Sequence, residues 1–338
     1  MRPLRRRSFV TRWEARAVQA DTQLRRPRRR RLSSSVVAIL GLIAVFAIVS
    51  PDFLSIENAV SILLQSSVLA VIAFGMTMVI VSGGMNLSLG AIPGLAGVVC
   101  AMSLKAGATV GLSVMYALGS GLVCGAVVGL LVGAFGMAPF IATLGMAGIA
   151  EGLALALSGG GAVFVSSTAI QRLGSGVIAC IPIPVWIAAA IFSVTLILLK
   201  GTVYGTYLYA VGGNEDAARL SGINVVRVKL VLYSIAGLLA AVAGLVLAGR
   251  MNTAHPSGAV GMEFEAVAAT VVGGTRLGGG RGNVTGTVLG VLIVSILRAG
   301  LNMTGLPAPW QMVILGALIT GTLVADAMMR NRERRYAA

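Results

Sequence analysis

The sequence predicts an all-α, polytopic membrane protein with about ten transmembrane helices. Of its 338 residues, 57% are hydrophobic and only 11% are charged, and the mean hydropathy is +0.93. Apolar runs able to cross a hydrocarbon core of ~30 Å are separated by short polar or glycine-containing breaks. The 45 glycines fit the same class, because small residues let helices approach closely in lipid. This composition excludes a soluble globular domain.

The net charge of +15 is concentrated in three places. Residues 1–31 hold twelve arginines against Glu14 and Asp21, residues 330–335 carry a net +3, and residues 200–229 carry +2. Arginine and lysine accumulate on the cytoplasmic side of membrane proteins. We therefore expect both termini and the central polar loop to face the cytoplasm.

The same distribution predicts the domain organisation. Residues 1–32 are expected to form a disordered, Arg-rich cytoplasmic arm that touches anionic lipid, and residues 330–338 a cytoplasmic tail. Residues 33–329 form the membrane domain, with a cytoplasmic loop at 205–229. The arm has no stacking aromatic residues beyond Phe9 and Trp13, so we expect no nucleic-acid partner.

The apolar runs predict ten crossings. They lie at about 33–50, 58–81, 86–104, 110–135, 139–158, 184–199, 230–248, 263–272, 284–301 and 309–327. The eighth has only about ten residues, which cross part of the core unless the segment is tilted, broken or shielded by neighbouring helices. Residues 159–183 read as an outer segment with a short helix. An even number of crossings leaves both termini on one side.

Small residues predict how the helices pack. Gly121, Gly125, Gly129 and Gly133 recur every fourth residue, which gives one helix face a seam that another backbone can approach closely. A second stripe of this kind is formed by Ala236, Ala240, Gly244 and Ala248. The segments 83–90 and 273–280 share the pattern GGxxLxxG, which indicates two loosely related halves.

The long polar interruption from Gly205 to Lys229 predicts a short exposed helix. Asn214 is suited to cap a helix whose first turn carries Glu215 and Asp216, and Gly222 is suited to end it. Such a helix has about two turns and needs a packing partner to be stable. We interpret it as a docking element; the alternative is an ordinary capped loop helix.

No catalytic, nucleotide or metal site is visible. The glycine run at 273–283 lacks the lysine of a Walker A loop, so energy must come from a partner or an ion gradient. Glu151 is the one clear carboxylate within a predicted span. Two interpretations are open: it has a role in coupling or substrate binding, or it reaches water or pairs with Arg172. Three cysteines, Cys100, Cys124 and Cys180, show no metal-ligand spacing and are interpreted as packing residues.

Several stretches resemble ribose-type ATP-binding-cassette (ABC) sugar permeases. NEDAARLSGINV, at 214–225, is similar to the coupling helix that lies in a cleft of the cytoplasmic ATPase in that family. Segments 53–91, 138–153, 266–293 and 300–307 resemble further parts of the family, so that the likeness covers roughly residues 36–329. The resemblance implies a fold like that of type II ABC importers. The residues it assigns to ATPase coupling are Gly213, Asn214, Glu215, Asp216, Ala217, Ala218, Arg219, Leu220, Ser221 and Gly222.

The resemblance also implies an assembly in the bacterial inner membrane. Two permease subunits, identical or not, combine with two cytoplasmic ATPases and an extracytoplasmic sugar-binding protein. ATP and Mg²⁺ are bound by the ATPase, and this chain holds no cofactor and is no enzyme itself. A branched-chain amino-acid-type ABC permease and a gradient-driven carrier remain alternatives.

A neutral sugar needs hydrogen-bonding groups along its path and no fixed charge. The candidates are Asn86, Ser88, Thr143, Asn302 and Gln311, each with the alternative of a helix cap or an interhelical hydrogen bond. At Met85-Asn86 relatives commonly carry an acidic residue, so a role that depends on charge is in doubt there.

Overall fold

The computed structural model describes residues 35–307 and, beyond them, 309–311, 313–314, 316–317, 320–321, 324 and 328. The helices are α1 (Ser35–Val49), α2 (Ile56–Val81), α3 (Ile92–Lys105), α4 (Val110–Gly133), α5 (Pro139–Ser158), α6 (Thr168–Ser175), α7 (Ile183–Gly201), α8 (Val203–Gly213), α9 (Glu215–Leu220), α10 (Val225–Met251), α11 (Met262–Val272) and α12 (Val284–Met303). Two 3₁₀ helices lie at Pro51–Leu54 and Leu87–Leu89, and four two-residue strands are β1 (Val163–Phe164), β2 (Val177–Ile178), β3 (Ile181–Pro182) and β4 (Thr253–Ala254). The Arg-rich arm, the C-terminal tail and most of the tenth predicted span lie outside the described residues.

The described part of the chain confirms an all-α polytopic membrane protein. Seven of its helical segments are long and apolar enough to cross a membrane: α2, residues 87–105, α4, α5, α7, α10 and α12. The first predicted crossing corresponds to the shorter apolar helix α1. The eighth corresponds to α11, whose eleven residues reach only about 16 Å. This helix therefore crosses about half of the core, as its length in the sequence indicated.

The predicted glycine seam on α4 packs against α10. A side chain at Gly121 would overlap the carbonyl oxygen of Gly237, and one at Gly125 would overlap that of Tyr233. At Gly129 a Cβ atom would lie 2.7 Å from the Cα of Leu230. The backbones of α4 and α10 therefore lie in direct contact along several turns, which only glycine permits.

The third span starts with an irregular segment and becomes α-helical at Ile92. Residues 86–91, directly before α3, are buried, with an extended Asn86 followed by the 3₁₀ turn at Leu87–Leu89. Gly90 in this segment faces the carboxylate of Glu263 in the first turn of α11, and Gly94 faces the carbonyl oxygen of Pro256. The irregular segment before α3 and the loop before α11 thus each lie against protein, which can satisfy backbone hydrogen bonds that lipid cannot.

The bundle has two distinct ends. At one end lie α9, the C-terminus of α2 and the loop at 273–283; we call it the α9 end. At the opposite end β1 pairs with β4, with Val163 opposite Ala254, and β2 pairs with β3 in a hairpin beside α6. The short helix α6 confirms the expectation of a helix in segment 159–183.

The two GGxxLxxG segments contact each other at the α9 end. The Gly280 amide donates a hydrogen bond of 2.9 Å to the carbonyl oxygen of Val81, and Gly279 packs on Gly83. Their backbones differ, since the first segment forms a 3₁₀ turn whereas Gly279 and Gly280 both have a positive φ. The two segments that share this sequence pattern therefore contact each other, but they have different backbone conformations.

Candidate functional site

The short helix α9 has the geometry that its sequence predicts. The side-chain oxygen of Asn214 accepts a hydrogen bond of 3.0 Å from the Ala217 amide, which satisfies one of the free donors of the first turn. Glu215 and Asp216 occupy that turn, near the positive end of the helix dipole. Gly222, with φ of 84°, ends the helix. The capped helix is confirmed.

One face of α9 is attached to the bundle and the other is free. Ala218 is buried, and Glu215 receives hydrogen bonds from Lys229 of α10 at 2.7 Å and from Arg219 at 3.3 Å. Leu220, the last residue of the helix, is 89% exposed. The N-terminal turn of α9 is thus held to α10 by the Glu215–Lys229 ion pair, and Leu220 at its C-terminal end is exposed.

The polar loop is less extended than the sequence indicated. Its first part is the helix α8, with Leu208 and Val211 buried against the bundle. The hydroxyl of Tyr204 donates to the carbonyl oxygen of Val228 at 2.9 Å, and that of Tyr209 donates to Gly282 at 3.0 Å. Leucine and valine three residues apart share one helix face, which explains why this stretch packs rather than projects. The exposed element is therefore residues 213–224 rather than the whole of 205–229.

A glycine junction, formed by Gly83, Gly212, Gly279 and Gly280, lies directly before α9. A side chain at Gly212 would overlap the carbonyl oxygen of Val81, and one at Gly280 would lie 2.9 Å from the Cα of Gly213. The junction joins the end of α2, the end of α8 and the loop after α11 without intervening side chains. The backbones of these three elements are therefore in direct contact next to α9.

The structure does not bring the predicted path residues together. Asn86 and Ser88 are fully buried and bonded to each other at 2.6 Å, and the Asn86 Nδ2 has no partner. The Thr143 hydroxyl donates within its own helix to Pro139 at 2.8 Å, and Gln311 donates to the Leu306 carbonyl oxygen at 2.9 Å. These local bonds match the alternative roles of cap and helix-internal hydrogen bond. Asn302 differs, because it lines a cavity.

This cavity, which we call the outer cavity, lies at the end opposite α9 and has a volume of about 320 Å³. It is enclosed by α2, α10, α11, α12 and the segment between β4 and α11. Its polar lining consists of Gln65, Arg250, Glu265, Ser295, Arg298 and Asn302. Of these six residues, only Asn302 is among the path residues predicted from the sequence. The prediction of path residues without fixed charge does not describe this cavity, which has three charged side chains.

Buried ionisable side chains cluster next to the outer cavity. Glu265 and Arg298 form an ion pair of 2.7 Å. Glu263 is buried and accepts a hydrogen bond of 2.8 Å from the Gly261 amide, and Glu151 lies near enough for their charges to interact. In the sequence, Glu263 and Glu265 lie at the start of the eighth predicted crossing, near its outer edge. Both lie in the first turn of α11, at the end opposite α9, and both are buried by neighbouring protein.

The cysteines divide between the core and the surface. Cys100 and Cys124 are buried, in agreement with a packing role, whereas Cys180 is exposed in the β2–β3 hairpin, so the packing interpretation is wrong there. Within the described residues, no three His, Cys, Asp or Glu side chains are grouped in a way that could hold a metal ion.

Seven apolar helices of membrane-spanning length, with a capped helix exposed at one end, indicate a multi-pass membrane protein, and the family match below makes it a permease. The chain belongs to the family described as the branched-chain amino acid transport system / permease component, whose model matches residues 58–323.

Its curated relatives are permease subunits rather than enzymes. The ribose import permease protein of Escherichia coli is 39% identical over 298 residues, which cover 86% of this chain and 92% of the relative. The ribose import permease protein of Bacillus subtilis is 39% identical over 84% of this chain and 89% of its own length. The L-arabinose ABC transporter permease protein of Azospirillum brasilense is 33% identical over 89% of each chain. No solved structure matches the chain significantly.

Proposed function

We propose that the chain is the permease subunit of an ATP-driven ABC importer and forms the membrane path for a monosaccharide or related polyol. The observation that carries the proposal is α9, a capped and largely exposed helix attached to the bundle next to the glycine junction. A helix of six residues is unstable alone, so its exposed face calls for a partner surface. The partner proposed for it is a cytoplasmic ATPase, which binds ATP and Mg²⁺; this chain binds neither.

The distribution of basic residues supports placing α9 in the cytoplasm. Of the lysines and arginines in residues 35–307, six lie at the α9 end and four at the opposite end. Those at the α9 end are Lys200, Arg219, Arg227, Lys229, Arg276 and Arg281. An excess of basic residues is typical of the cytoplasmic side. We infer a bacterial inner membrane protein with both termini inside.

The remaining partners follow from this orientation. The opposite end, with the outer cavity and the strand pairs β1–β4 and β2–β3, would receive substrate from an extracytoplasmic sugar-binding protein. A second permease subunit, identical or homologous, would complete the path, and the lipid bilayer would surround both.

Two observations bear on the substrate class. Relatives across most of the chain are named for ribose, L-arabinose and D-allose, which favours a monosaccharide. The description of the family model favours a branched-chain amino acid. We adopt the sugar because the relatives named for sugars share 33–39% identity over at least 84% of this chain.

Reconstitution tests the proposal. The permease is incorporated into liposomes alone, with the ATPase, and with both the ATPase and the binding protein, and uptake of labelled D-ribose, L-arabinose, D-allose and L-leucine is followed. We expect sugar uptake only in the complete system with ATP. Uptake by the permease without its partners, if an ionophore stops it, would indicate a gradient-driven carrier. Uptake of leucine but of none of the sugars would indicate an amino-acid permease. Either result contradicts the proposal.

A further inference from the structure

The outer cavity has the size of a small-molecule site. Its volume of about 320 Å³ lies at the lower end of the ~300–1,000 Å³ typical of ligand pockets. A site of this size suits a single sugar ring better than a disaccharide or a nucleotide. It also lies at the end of the bundle opposite α9, where substrate would enter.

The polar groups of the cavity match a ring that carries several hydroxyls. Each hydroxyl both donates and accepts a hydrogen bond, and the amides of Gln65 and Asn302 offer both functions. Glu265 occupies only part of the donor set of Arg298, which leaves guanidinium N–H groups for a ligand. The apolar residues Val68, Leu69 and Leu247 supply the wall on which the C–H face of a sugar can lie.

The charges of the cavity favour a neutral ligand over an amino acid. A zwitterionic amino acid would need a free carboxylate for its ammonium group, but Glu265 is already bound to Arg298 at 2.7 Å. The Glu265 side chain is only 11% exposed, so breaking the pair would leave a largely buried carboxylate without its partner, which is costly. A sugar can bond to the outer atoms of the intact pair.

We propose that the outer cavity is a transient binding site for the transported monosaccharide, in which Gln65, Arg250, Arg298 and Asn302 hold its hydroxyls and the Glu265–Arg298 pair stays closed. This inference rests on the proposed function and deepens it by placing the substrate within this chain. The site holds sugar after release from the binding protein and before passage between the helices.

Cysteine protection tests the site independently of transport. Gln65→Cys, Ser295→Cys and Asn302→Cys are made separately in a Cys180→Ala background, and Thr304→Cys is the matched control at the same end of α12 but outside the cavity lining. Right-side-out vesicles with the complete transporter are treated with a membrane-impermeant methanethiosulfonate, with and without D-ribose, L-arabinose or D-allose. At a sugar concentration about ten times that of half-protection, mass action predicts roughly tenfold slower labelling at the cavity positions. Labelling of Thr304→Cys stays unchanged.

Several outcomes would overturn the inference. If none of the sugars slows labelling at any cavity position while the Cys180→Ala complex takes up sugar, the cavity is not a substrate site, although the proposed function stands. Equal protection of Thr304→Cys would show a global conformational effect instead of occupancy. Protection by L-leucine in place of the sugars would overturn both the site and the sugar assignment. Absence of ATP-dependent uptake by the unsubstituted complex would count against the proposed function itself.

Discussion

Individual glycines determine where helices of this bundle touch. The four-residue spacing of Gly121 and Gly125 sufficed to predict a seam, and the structure identifies α10 as its partner. The sequence could not predict which helix packs against this seam. A row of small residues indicates that another backbone can approach closely, but it does not identify that backbone. The Asn214 cap could be predicted from the sequence, because the capping hydrogen bond joins residues only three positions apart.

Substituting Gly125 with alanine should destabilise the protein. The new Cβ atom would overlap the carbonyl oxygen of Tyr233, a backbone atom that cannot move away without displacing α10. We expect a loss of about 1–3 kcal/mol, as is usual for overpacking. Gly119→Ala on the same helix meets no atom within 4 Å and serves as the matched control. Thermal unfolding in detergent measures both; equal midpoints would contradict direct backbone contact.

Substituting Asn214 with alanine should uncouple α9 without preventing membrane insertion. Loss of a cap costs about 0.5–2 kcal/mol, a large fraction of what holds a helix of six residues. We expect lower ATP-driven uptake and unchanged protein levels in the membrane. Asn214→Ser, which retains a capping oxygen, should keep most of the uptake. If the alanine and serine variants behave alike, the cap has no part in coupling.

At the scale of elements, the long apolar helices were predictable and the assembled sites were not. Crossings appear in the sequence as continuous apolar runs, whereas the outer cavity collects residues of α2, α10, α11 and α12 that are far apart in sequence. No local spacing connects Gln65 to Arg298. The helix α8 was missed because its glycines and tyrosines read as loop, although its buried face consists of Leu208 and Val211.

The ion pair between α9 and α10 should transmit force between them. Glu215→Lys places two cations together and should reduce uptake per ATP hydrolysed, and the double variant Glu215→Lys/Lys229→Glu should restore part of it. Because the pair is partly exposed, its contribution to stability is only about 0–1 kcal/mol, so unfolding midpoints should change little. The ratio of uptake to ATP hydrolysis is measured in proteoliposomes. Failure of the double variant to recover would mean that Glu215 acts through another partner.

The glycine junction should be intolerant of a side chain. Gly212→Ala places a Cβ atom on the carbonyl oxygen of Val81 and should separate α8 from α2. Gly201→Ala is the control, since its nearest neighbour, Ile197, lies 3.6 Å away. We expect reduced ATPase stimulation by loaded binding protein for the first variant alone. Equal ATPase stimulation in the two variants would show that close packing at the junction is not needed for coupling.

At the scale of the whole molecule, α11 connects the two functional ends. It begins at Met262, which lines the outer cavity together with Glu265, and ends at Val272, before the loop that contributes Gly279 and Gly280 to the junction. Thr270 lies among the hydroxyls of Thr77 and Thr287, which link α11 to α2 and α12. A short helix held in this way can shift as a unit, and we expect α9 and the outer cavity to be coupled through it.

The central claim is that α9 is a docking helix on the cytoplasmic side, and side-specific labelling tests it most directly. The exposed native Cys180 is at the opposite end and supplies an internal reference. In the Leu220→Cys variant an impermeant thiol reagent should label Cys180 only from outside intact spheroplasts, and position 220 only in inside-out vesicles. Addition of the ATPase should protect position 220. Labelling of both positions from the same side would contradict the account.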